Sequence, residues 1–304
     1  MEYVLQTNAL KKCYGNYKAL NGLTMHVPKG AIYGFVGKNG AGKTTLIRLV
    51  CGLQNPTDGE YSIYGIDSRQ KECVKARRRT GAVVETPSIY LDMTATDNLK
   101  EQYRILGLPS FDGIPDILKL VGLENTGKKK AKHFSLGMRQ RLGIAIALAG
   151  SPDFLLLDEP VNGLDPQGII EIRELILKLN QERGITVLIS SHILDELAKL
   201  ATHFGFIDNG QMIREISAKE LDAACRKCIH ITVSDTKTLS RVLDETGMEY
   251  SIISEHDADI FGKISVTDLT LKLSAQGCEL LTLQEQDESL ENYYINLVGG
   301  VSHE

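Results

Sequence analysis

The stretch Gly37-Lys-Asn-Gly-Ala-Gly-Lys-Thr44 has the spacing Gly-x-x-x-x-Gly-Lys-Thr, which is the pattern of a phosphate-binding loop, or P-loop. The apolar residues 31–36 before it predict a buried strand, and residues 45–50 after it predict a helix. A strand that runs through a glycine-rich turn into a helix directs backbone N–H groups and the positive end of the helix dipole at one point. This context predicts a binding site for phosphate groups.

The residue types within the loop fit a nucleotide. Gly37, Gly40 and Gly42 allow the backbone to approach phosphate closely, because they carry no Cβ. Lys43 supplies a positive charge for the β- and γ-phosphates, and the Thr44 hydroxyl can bind Mg²⁺. An accidental match of four fixed positions in this strand-turn-helix context is improbable, so we expect a nucleotide-binding site.

The composition indicates an ordinary globular protein of one large domain or two moderate ones. The chain has 304 residues, of which 42% are hydrophobic and 24% charged, and its formal net charge is −5. A negative net charge argues against nucleic acid as the main partner. The sequence lacks an apolar run long enough to span a membrane, and its N-terminus lacks an export signal. We therefore expect a cytoplasmic location.

The six cysteines do not predict a disulfide or metal framework. Cysteines in a reducing compartment stay unpaired. Cys225 and Cys228 have the C-x-x-C spacing, but a zinc site would need a second pair of ligands at suitable spacing, which the sequence does not supply. We interpret this spacing as a coincidence.

The chain order of predicted elements indicates two domains. Residues 2–30 predict short antiparallel strands separated by glycines, and alternating strands and helices between 31 and 216 predict an α/β fold with a mostly parallel sheet. The helical region is expected at about 86–150, and its first helix is predicted to open at a capping box over 94–97 and to stop at Gly107. A hairpin over 204–216 is predicted to turn at Asn209-Gly210. Residues 217–304 predict a small α+β domain with the order β-α-β-β-α-β, which is ferredoxin-like, and a terminal helix over 289–297.

Two carboxylates follow another predicted buried strand, at Asp158 and Glu159. Beside a P-loop, Asp158 can hold Mg²⁺ and Glu159 can accept the proton of an attacking water. Ser135 and Gly137 begin a predicted helix and form a second anion site of the same physical kind. His192 follows a third predicted strand, where a histidine by itself is most often only a polar strand end.

Taken together, this order of motifs resembles the ATP-binding-cassette (ABC) family over about residues 3–216. The resemblance implies a Walker A motif at 37–45, a signature motif at 135–140, a D-loop at 162–165 and a switch histidine at His192. It also implies that Tyr14 stacks on adenine, with Tyr17 as the weaker candidate. The implied ATP-binding residues are Tyr14, Gly37, Lys38, Asn39, Gly40, Ala41, Gly42, Lys43, Thr44, Thr45, Ser135, Gly137 and Gln140.

The resemblance also implies the chemistry. Lys43, Glu159 and His192 are the expected catalytic residues, and Thr44, Asp158 and Glu85 are the expected Mg²⁺ ligands. Glu85 departs from the family, which usually has Gln at this position. The alternative is that Glu85 only ends a strand and points to solvent. Glu85, together with Leu136, Met138 and the C-terminal extension, makes the chain resemble the bacitracin- and lantibiotic-type branch of bacterial export ATPases.

By this resemblance the chain is an ATPase subunit of a bacterial exporter, located peripherally on the inner face of the membrane. The family works as pairs of cassettes with ATP between them, so the resemblance implies a second cassette, most simply a second copy, and a separate transmembrane permease. In 86–94, the apolar Ile89, Tyr90, Leu91 and Met93 either line the groove for a permease helix or pack under the helix that follows.

Two other functions stay open at this point. A soluble cassette ATPase that acts on ribosomes or DNA usually has two cassettes or a long coiled-coil insertion, and this sequence has neither. A GTPase or kinase with a P-loop would leave the signature segment unexplained, and the guanine-reading motif Asn-Lys-x-Asp is missing. The C-terminal domain could be a dimer clamp, a ligand site or a spacer, and we favour a packing role. The sequence does not identify the transported substrate.

Overall fold

The structure is a computed structural model that describes residues 2–224, 228–262, 264–286, 293, 294 and 297. The chain divides into two compact units, Met1–Ala218 and Lys219–Glu304. This division lies two residues after the boundary expected from the sequence. Among the helices of the described residues, none has the length and apolar character that a membrane span requires.

The first unit contains ten strands, which are β1 (Tyr3–Tyr14), β2 (Tyr17–Pro28), β3 (Ile32–Val36), β4 (Asp58–Ile63), β5 (Ile66–Asp67), β6 (Thr80–Val83), β7 (Phe154–Asp158), β8 (Thr186–Ser191), β9 (His203–Asp208) and β10 (Gln211–Ser217). Its helices are α1 (Lys43–Val50), α2 (Cys73–Arg77), α3 (Ala95–Leu106), α4 (Ile114–Leu120), α5 (Leu136–Leu148), α6 (Pro166–Arg183) and α7 (Leu194–Ala198). Two short 3₁₀ turns lie at Glu124–Thr126 and Ala131–His133, and α8 (Ala218–Ala224) spans the junction between the units.

The central sheet positions the functional residues. Its strand order is β10-β9-β3-β8-β7-β6, and all neighbours are parallel except the β9–β10 hairpin, which turns at Asn209-Gly210 as predicted. Every residue of β3, β7 and β8 is buried, as expected for parallel strands covered on both faces. Because parallel strands end at the same edge, the segments that follow β3, β7 and β8 meet there.

The main hydrophobic core lies between this sheet and a second, antiparallel sheet with the order β2-β1-β4-β5. Tyr33 and Phe35 of β3 share one contact cluster of buried side chains with Leu46 and Leu49 of α1, and each is at most 1% exposed. Full burial of one such side chain stabilises a fold by about 1.5–3 kcal/mol. The contact fixes helix α1, and with it the P-loop, on the sheet.

Strands β1 and β2 are longer than the short strands that the glycines predicted. Gly22 lies inside β2, with φ at +87°, where the register shifts from Leu10–Leu23 to Lys11–Asn21. An extra residue with positive φ makes a bulge, and the strand continues beyond it. A glycine that marks a bulge cannot be told from one that ends a strand by sequence alone.

The first helix of the helical region, α3, begins and ends where the sequence predicted. Thr94 caps α3 by accepting a hydrogen bond from the Asp97 N–H at 3.1 Å, and Gly107 ends the helix in the left-handed conformation. Asp97 bonds to the Thr94 hydroxyl at 2.7 Å. Helix α5 starts at the next cap, Ser135, whose side chain accepts from the Met138 N–H at 3.2 Å.

The second unit has the predicted β-α-β-β-α-β order. Its elements are β11 (Cys228–Val233), α9 (Thr236–Thr246), β12 (Glu249–Ile252), β13 (Asp257–Phe261), α10 (Val266–Ala275) and β14 (Leu280–Gln286). The antiparallel sheet has the order β12-β13-β11-β14, which is the ferredoxin-like arrangement. Of the terminal helix predicted over 289–297, the structure describes residues 293, 294 and 297, which are helical, and the other residues lie outside the described ones. The side chains of Cys225 and Cys228 are also not among those described.

Candidate active site

The P-loop closes around the ammonium group of Lys43. This side chain is 5% exposed, and its Nζ donates to the carbonyl of Gly37 at 2.6 Å and to that of Lys38 at 3.3 Å. A Cβ at Gly37 would lie 2.6 Å from the Ile207 carbonyl, and Gly42 has φ at +112°. The loop therefore needs glycine at both positions to hold the lysine where phosphate would bind.

Thr44 and Asp158 place two oxygen groups side by side at the end of β7. The Thr44 hydroxyl donates to Asp158 Oδ2 at 2.7 Å, and the Ser190 hydroxyl donates to Asp158 Oδ1 at 2.5 Å. Asp158 is 1% exposed. A hydroxyl beside a buried carboxylate is a set of hard oxygen donors that fits Mg²⁺. The sequence did not single out a role for Ser190, although it stands at the end of the neighbouring strand.

The thiol of Cys51, which lies near Asp158, adds no second negative charge to the pair of Thr44 and Asp158. Burial raises the pKa of Cys51 to about 12, and the negative charge of Asp158 also acts in that direction, against the lowering effect of Arg77. Cys51 is therefore a neutral group at physiological pH. The negative charge that this pair can offer to a metal comes from Asp158.

Glu159 is held by both of its carboxylate oxygens. Oε2 lies 2.8 Å from His192 Nδ1, and Oε1 lies 3.3 Å from Lys43 Nζ. The Oε1 atom is buried and, among the described residues, has no partner with hydrogen-bond geometry, so the lysine contact is ionic only. A buried carboxylate oxygen with an open acceptor position next to the phosphate loop fits a group that accepts a proton from water.

The backbone at Glu159 is strained. Its φ is +50°, in the left-handed region that costs a non-glycine residue about 1–2 kcal/mol. Its N–H group donates to the carbonyl of Ser190 at 3.1 Å and to the hydroxyl at 3.0 Å, so strand β8 holds this conformation. Strain that the surrounding structure maintains is characteristic of functional positions.

Tyr14 and Tyr17 face each other across the β1–β2 turn, and both are exposed. The Tyr14 hydroxyl bonds to the side chain of Gln54, and Lys12 Nζ lies 5.3 Å from the ring centre. The Tyr17 hydroxyl donates to the carbonyl of Gly40 in the P-loop at 3.0 Å. The sequence did not predict this contact, and adenine stacking on Tyr14 stays a prediction.

The signature segment packs on the D-loop. Gly163 and Gly168 lie close to Leu136 and Gly137 respectively, since an added Cβ at Gly163 would lie 3.4 Å from Leu136 and one at Gly137 would lie 3.9 Å from Gly168. Gln140 is buried, and its Nε2 has no hydrogen-bond partner among the described residues. Contacts of Ser135, Gly137 and Gln140 with ATP stay predictions.

Glu85 forms an ion pair that the sequence did not predict. Its Oε1 lies 2.6 Å from Arg48 Nη2, and its side chain is 57% exposed. The other expected metal-binding carboxylate, Asp158, accepts hydrogen bonds from Thr44 and Ser190 and pairs with no arginine in the described residues. The structure thus brings together Lys43, Thr44, Asp158, Glu159 and His192, while a role of Glu85 in metal binding stays a prediction.

A comparison with protein-family models matches residues 20–162 to the family described as ABC transporter. The chain is 39% identical over 303 residues to the bacitracin transport ATP-binding protein BcrA of Bacillus licheniformis, covering 99% of both chains. It is 43% identical over 221 residues to the lantibiotic transport ATP-binding protein SrtF of Streptococcus pyogenes, covering 73% of this chain and 93% of the relative.

Among solved structures, the chain is similar to the ATP-binding cassette MJ0796, a dimer in a post-hydrolysis state bound to ADP and phosphate. The TM-score is 0.64 and the identity is 26%, over 70% of this chain and 98% of the other. The nucleotide-binding part of the fold is thus shared with a cassette captured with the products of ATP hydrolysis.

Proposed function

Because this chain belongs to the family of ABC transporter ATP-binding proteins, we propose that it powers a bacterial exporter whose membrane permease is a separate chain. The chain is an ATP-binding cassette ATPase. The observation that carries the proposed mechanism is the contact of one carboxylate, Glu159, with both Lys43 and His192. These three side chains come from segments that follow three different strands of the central sheet.

In this mechanism Glu159 is the general base. Its Oε1 accepts the proton of the attacking water, while His192 holds Oε2 and thereby orients the carboxylate. Lys43 binds the β- and γ-phosphates and stabilises the negative charge that develops on them. Thr44 and Asp158 would hold Mg²⁺, which supplies further stabilisation of phosphate charge when it is bound. The residues present fit this role, because they offer oxygen atoms side by side, with Asp158 buried and Thr44 half-buried.

We further propose that two copies of the chain sandwich ATP. Ser135 caps α5 and is exposed, and its neighbour Leu136 lies against Gly163 of the D-loop, whereas Lys43 is enclosed by the P-loop. The N-terminus of a 13-residue helix is an anion site that still needs a ligand. In a pair, Ser135 of one copy would face the phosphates that Lys43 of the other copy holds. The dimeric state of the similar cassette MJ0796 supports this arrangement.

The permease is proposed to dock at residues 89–93. Tyr90 and Leu91 are 54% and 45% exposed, which excludes them from the core, whereas Ile89 and Met93 are partly buried. Asn98 is 2% exposed and fixes the segment, because its side chain accepts from the Tyr90 N–H at 2.7 Å and donates to the Tyr90 carbonyl at 3.0 Å. A rigid segment that displays two large apolar side chains fits a partner helix.

The names of the relatives indicate the kind of cargo. BcrA and SrtF are named for transport of bacitracin and lantibiotics, so we propose that the exporter acts on antimicrobial peptides or similar drugs. The chain would then lie on the inner face of the membrane, held there by its permease. We do not propose the alternative of a ribosome- or DNA-associated ATPase, because the relatives named above are transport proteins.

A growth experiment tests this function. A strain that lacks the chain should become more sensitive to bacitracin or to a lantibiotic, and the wild-type gene should restore resistance. A gene with Glu159→Gln should not restore it, although the protein accumulates to the same level. Unchanged sensitivity across a panel of peptide antibiotics, together with a defect in protein synthesis, would instead favour the soluble ATPase.

A further inference from the structure

The ion pair between Arg48 and Glu85 lies beside the P-loop. Arg48 is in α1, four residues after Thr44, so the two side chains share one face of the helix about one turn apart. Glu85 follows strand β6, and its backbone has φ at +58°. The 2.6 Å contact therefore joins the helix that carries the phosphate-binding residues to the segment that leads into the helical region.

A carboxylate at this place creates an electrostatic problem. The P-loop binds a strongly anionic triphosphate, and an uncompensated negative charge nearby would weaken that binding. A neutral side chain at position 85 would raise no such conflict. The guanidinium of Arg48 removes this conflict, because its positive charge lies 2.6 Å from the Glu85 carboxylate.

We propose that Arg48 is a positioning residue that acts as the counter-ion of Glu85, holding its carboxylate and cancelling its repulsion of the nucleotide phosphates. The inference rests on the proposed nucleotide site and concerns how that site tolerates an acidic side chain. A purely stabilising role accounts for the pair less well. The side chains are 35% and 57% exposed, and ion pairs at such exposure contribute little to folding.

The position of Glu85 is also restrained from the other side. Two residues further along, Pro87 lies directly over Gly143 of α5, where an added Cβ would come 2.6 Å from the proline Cβ. The backbone between β6 and α3 is thus fixed against α5. The Glu85 side chain is exposed, and in the described structure its carboxylate pairs with Arg48.

The test is a double-mutant cycle on nucleotide affinity without metal. A fluorescent ATP analogue is titrated into the wild-type protein, Arg48→Gln, Glu85→Gln and the double variant, in EDTA and at low salt. Arg48→Gln should weaken binding about three- to tenfold, because Glu85 then acts uncompensated. Glu85→Gln should bind at least as tightly as wild type, and the double variant should return to within about twofold of it.

Arg104→Gln is the matched control, because it breaks an exposed ion pair with Glu101 on α3 and should leave affinity unchanged. An unchanged affinity in Arg48→Gln would overturn the proposal, and so would a double variant as weak as Arg48→Gln. If Arg48→Gln does not fold, two other variants test the proposal. Arg48→Lys should bind the nucleotide with wild-type affinity, and Glu85→Gln should bind it no more weakly than wild type. A weaker affinity in either variant would count against the proposal. A wild-type protein that binds no nucleotide would instead contradict the proposed function.

Discussion

His192 Nδ1 lies 2.8 Å from Oε2 of Glu159. The histidine therefore occupies one oxygen of the carboxylate, while the other, Oε1, is buried and 3.3 Å from Lys43 Nζ. In the proposed mechanism the two oxygens have separate tasks, because the one that contacts His192 orients the carboxylate and the other receives a proton. The arrangement also means that a change at any of the three residues disturbs the other two.

The Glu159→Gln variant should bind ATP but lose turnover. The amide has nearly the same shape and cannot take a proton, and a positioned general base contributes about 10²–10⁴-fold to rate. Phosphate release measures the loss, and binding of a fluorescent ATP analogue measures the retained affinity. With ATP present, the variant should also elute as a dimer on a sizing column. Turnover at the wild-type rate would remove Glu159 from the role of base.

The Lys43→Ala variant should lose nucleotide binding instead. In the proposed mechanism its ammonium group is the direct cation for the β- and γ-phosphates, and it is buried within the loop that would hold them. The same substitution removes the cation beside Glu159. Titration with labelled ATP, with melting temperature as the check on folding, distinguishes this result from that of Glu159→Gln. Wild-type affinity in a folded Lys43→Ala protein would contradict the assignment.

Much of the cassette follows from local sequence signals. The buried runs that became β3 and β7, the cap at Thr94 and the turn at Asn209-Gly210 are properties of a few adjacent residues, and each was predicted. The spatial cluster of Lys43, Asp158 and His192 could be predicted as well. Parallel strands end at one edge, so motifs that follow separate strands have to meet.

The contacts that sequence reasoning missed join distant segments through side chains. Tyr17 bonds to Gly40 across 23 residues, and Arg48 pairs with Glu85 across 37. Neither contact has a periodic pattern, because each depends on the rotamer and on the exact approach of two elements. The bulge at Gly22 was missed for a related reason, since glycine tolerates positive φ both inside a strand and at its end.

The Tyr90→Ala variant should uncouple transport and leave the isolated subunit intact. Tyr90 is 54% exposed, so its removal costs little packing. Leu99 is fully buried nearby, and Leu99→Ala should destabilise the fold by about 2–5 kcal/mol. Melting temperature, ATP binding and antibiotic resistance are measured for both. If Tyr90→Ala lowers stability and ATP binding as much as Leu99→Ala does, the exposed Tyr90 ring serves packing within the subunit and not contact with a permease.

The Gly143→Ala variant should disturb the packing of helix α5. The added Cβ would lie 2.6 Å from Pro87 Cβ and 2.9 Å from its Cγ, so the segment after Glu85 or helix α5 must shift. Overpacking of this kind costs about 1–3 kcal/mol. Urea unfolding of the protein measures it. Gly150→Ala is the control, because a Cβ there would meet Leu106 at 3.6 Å and the Arg78 carbonyl oxygen at 3.9 Å, which are ordinary contacts. Equal midpoints for the two variants would show that the close contact is relieved without cost.

The last prediction concerns Glu85 when Mg²⁺ is present. A carboxylate binds a hard cation more tightly than an amide does, so Glu85→Gln should raise the Mg²⁺ concentration for half-maximal ATPase activity, by about threefold or more on the scale of one charged ligand. In the described structure the same carboxylate pairs with Arg48, and a bound metal would have to compete with that arginine. Arg48→Gln should therefore shift the Mg²⁺ requirement in the opposite direction, to a lower concentration. Opposite shifts in the two variants identify a carboxylate shared between arginine and metal. An identical Mg²⁺ titration for wild type, Glu85→Gln and Glu85→Ala would show that Glu85 takes no part in metal binding and only ends its strand.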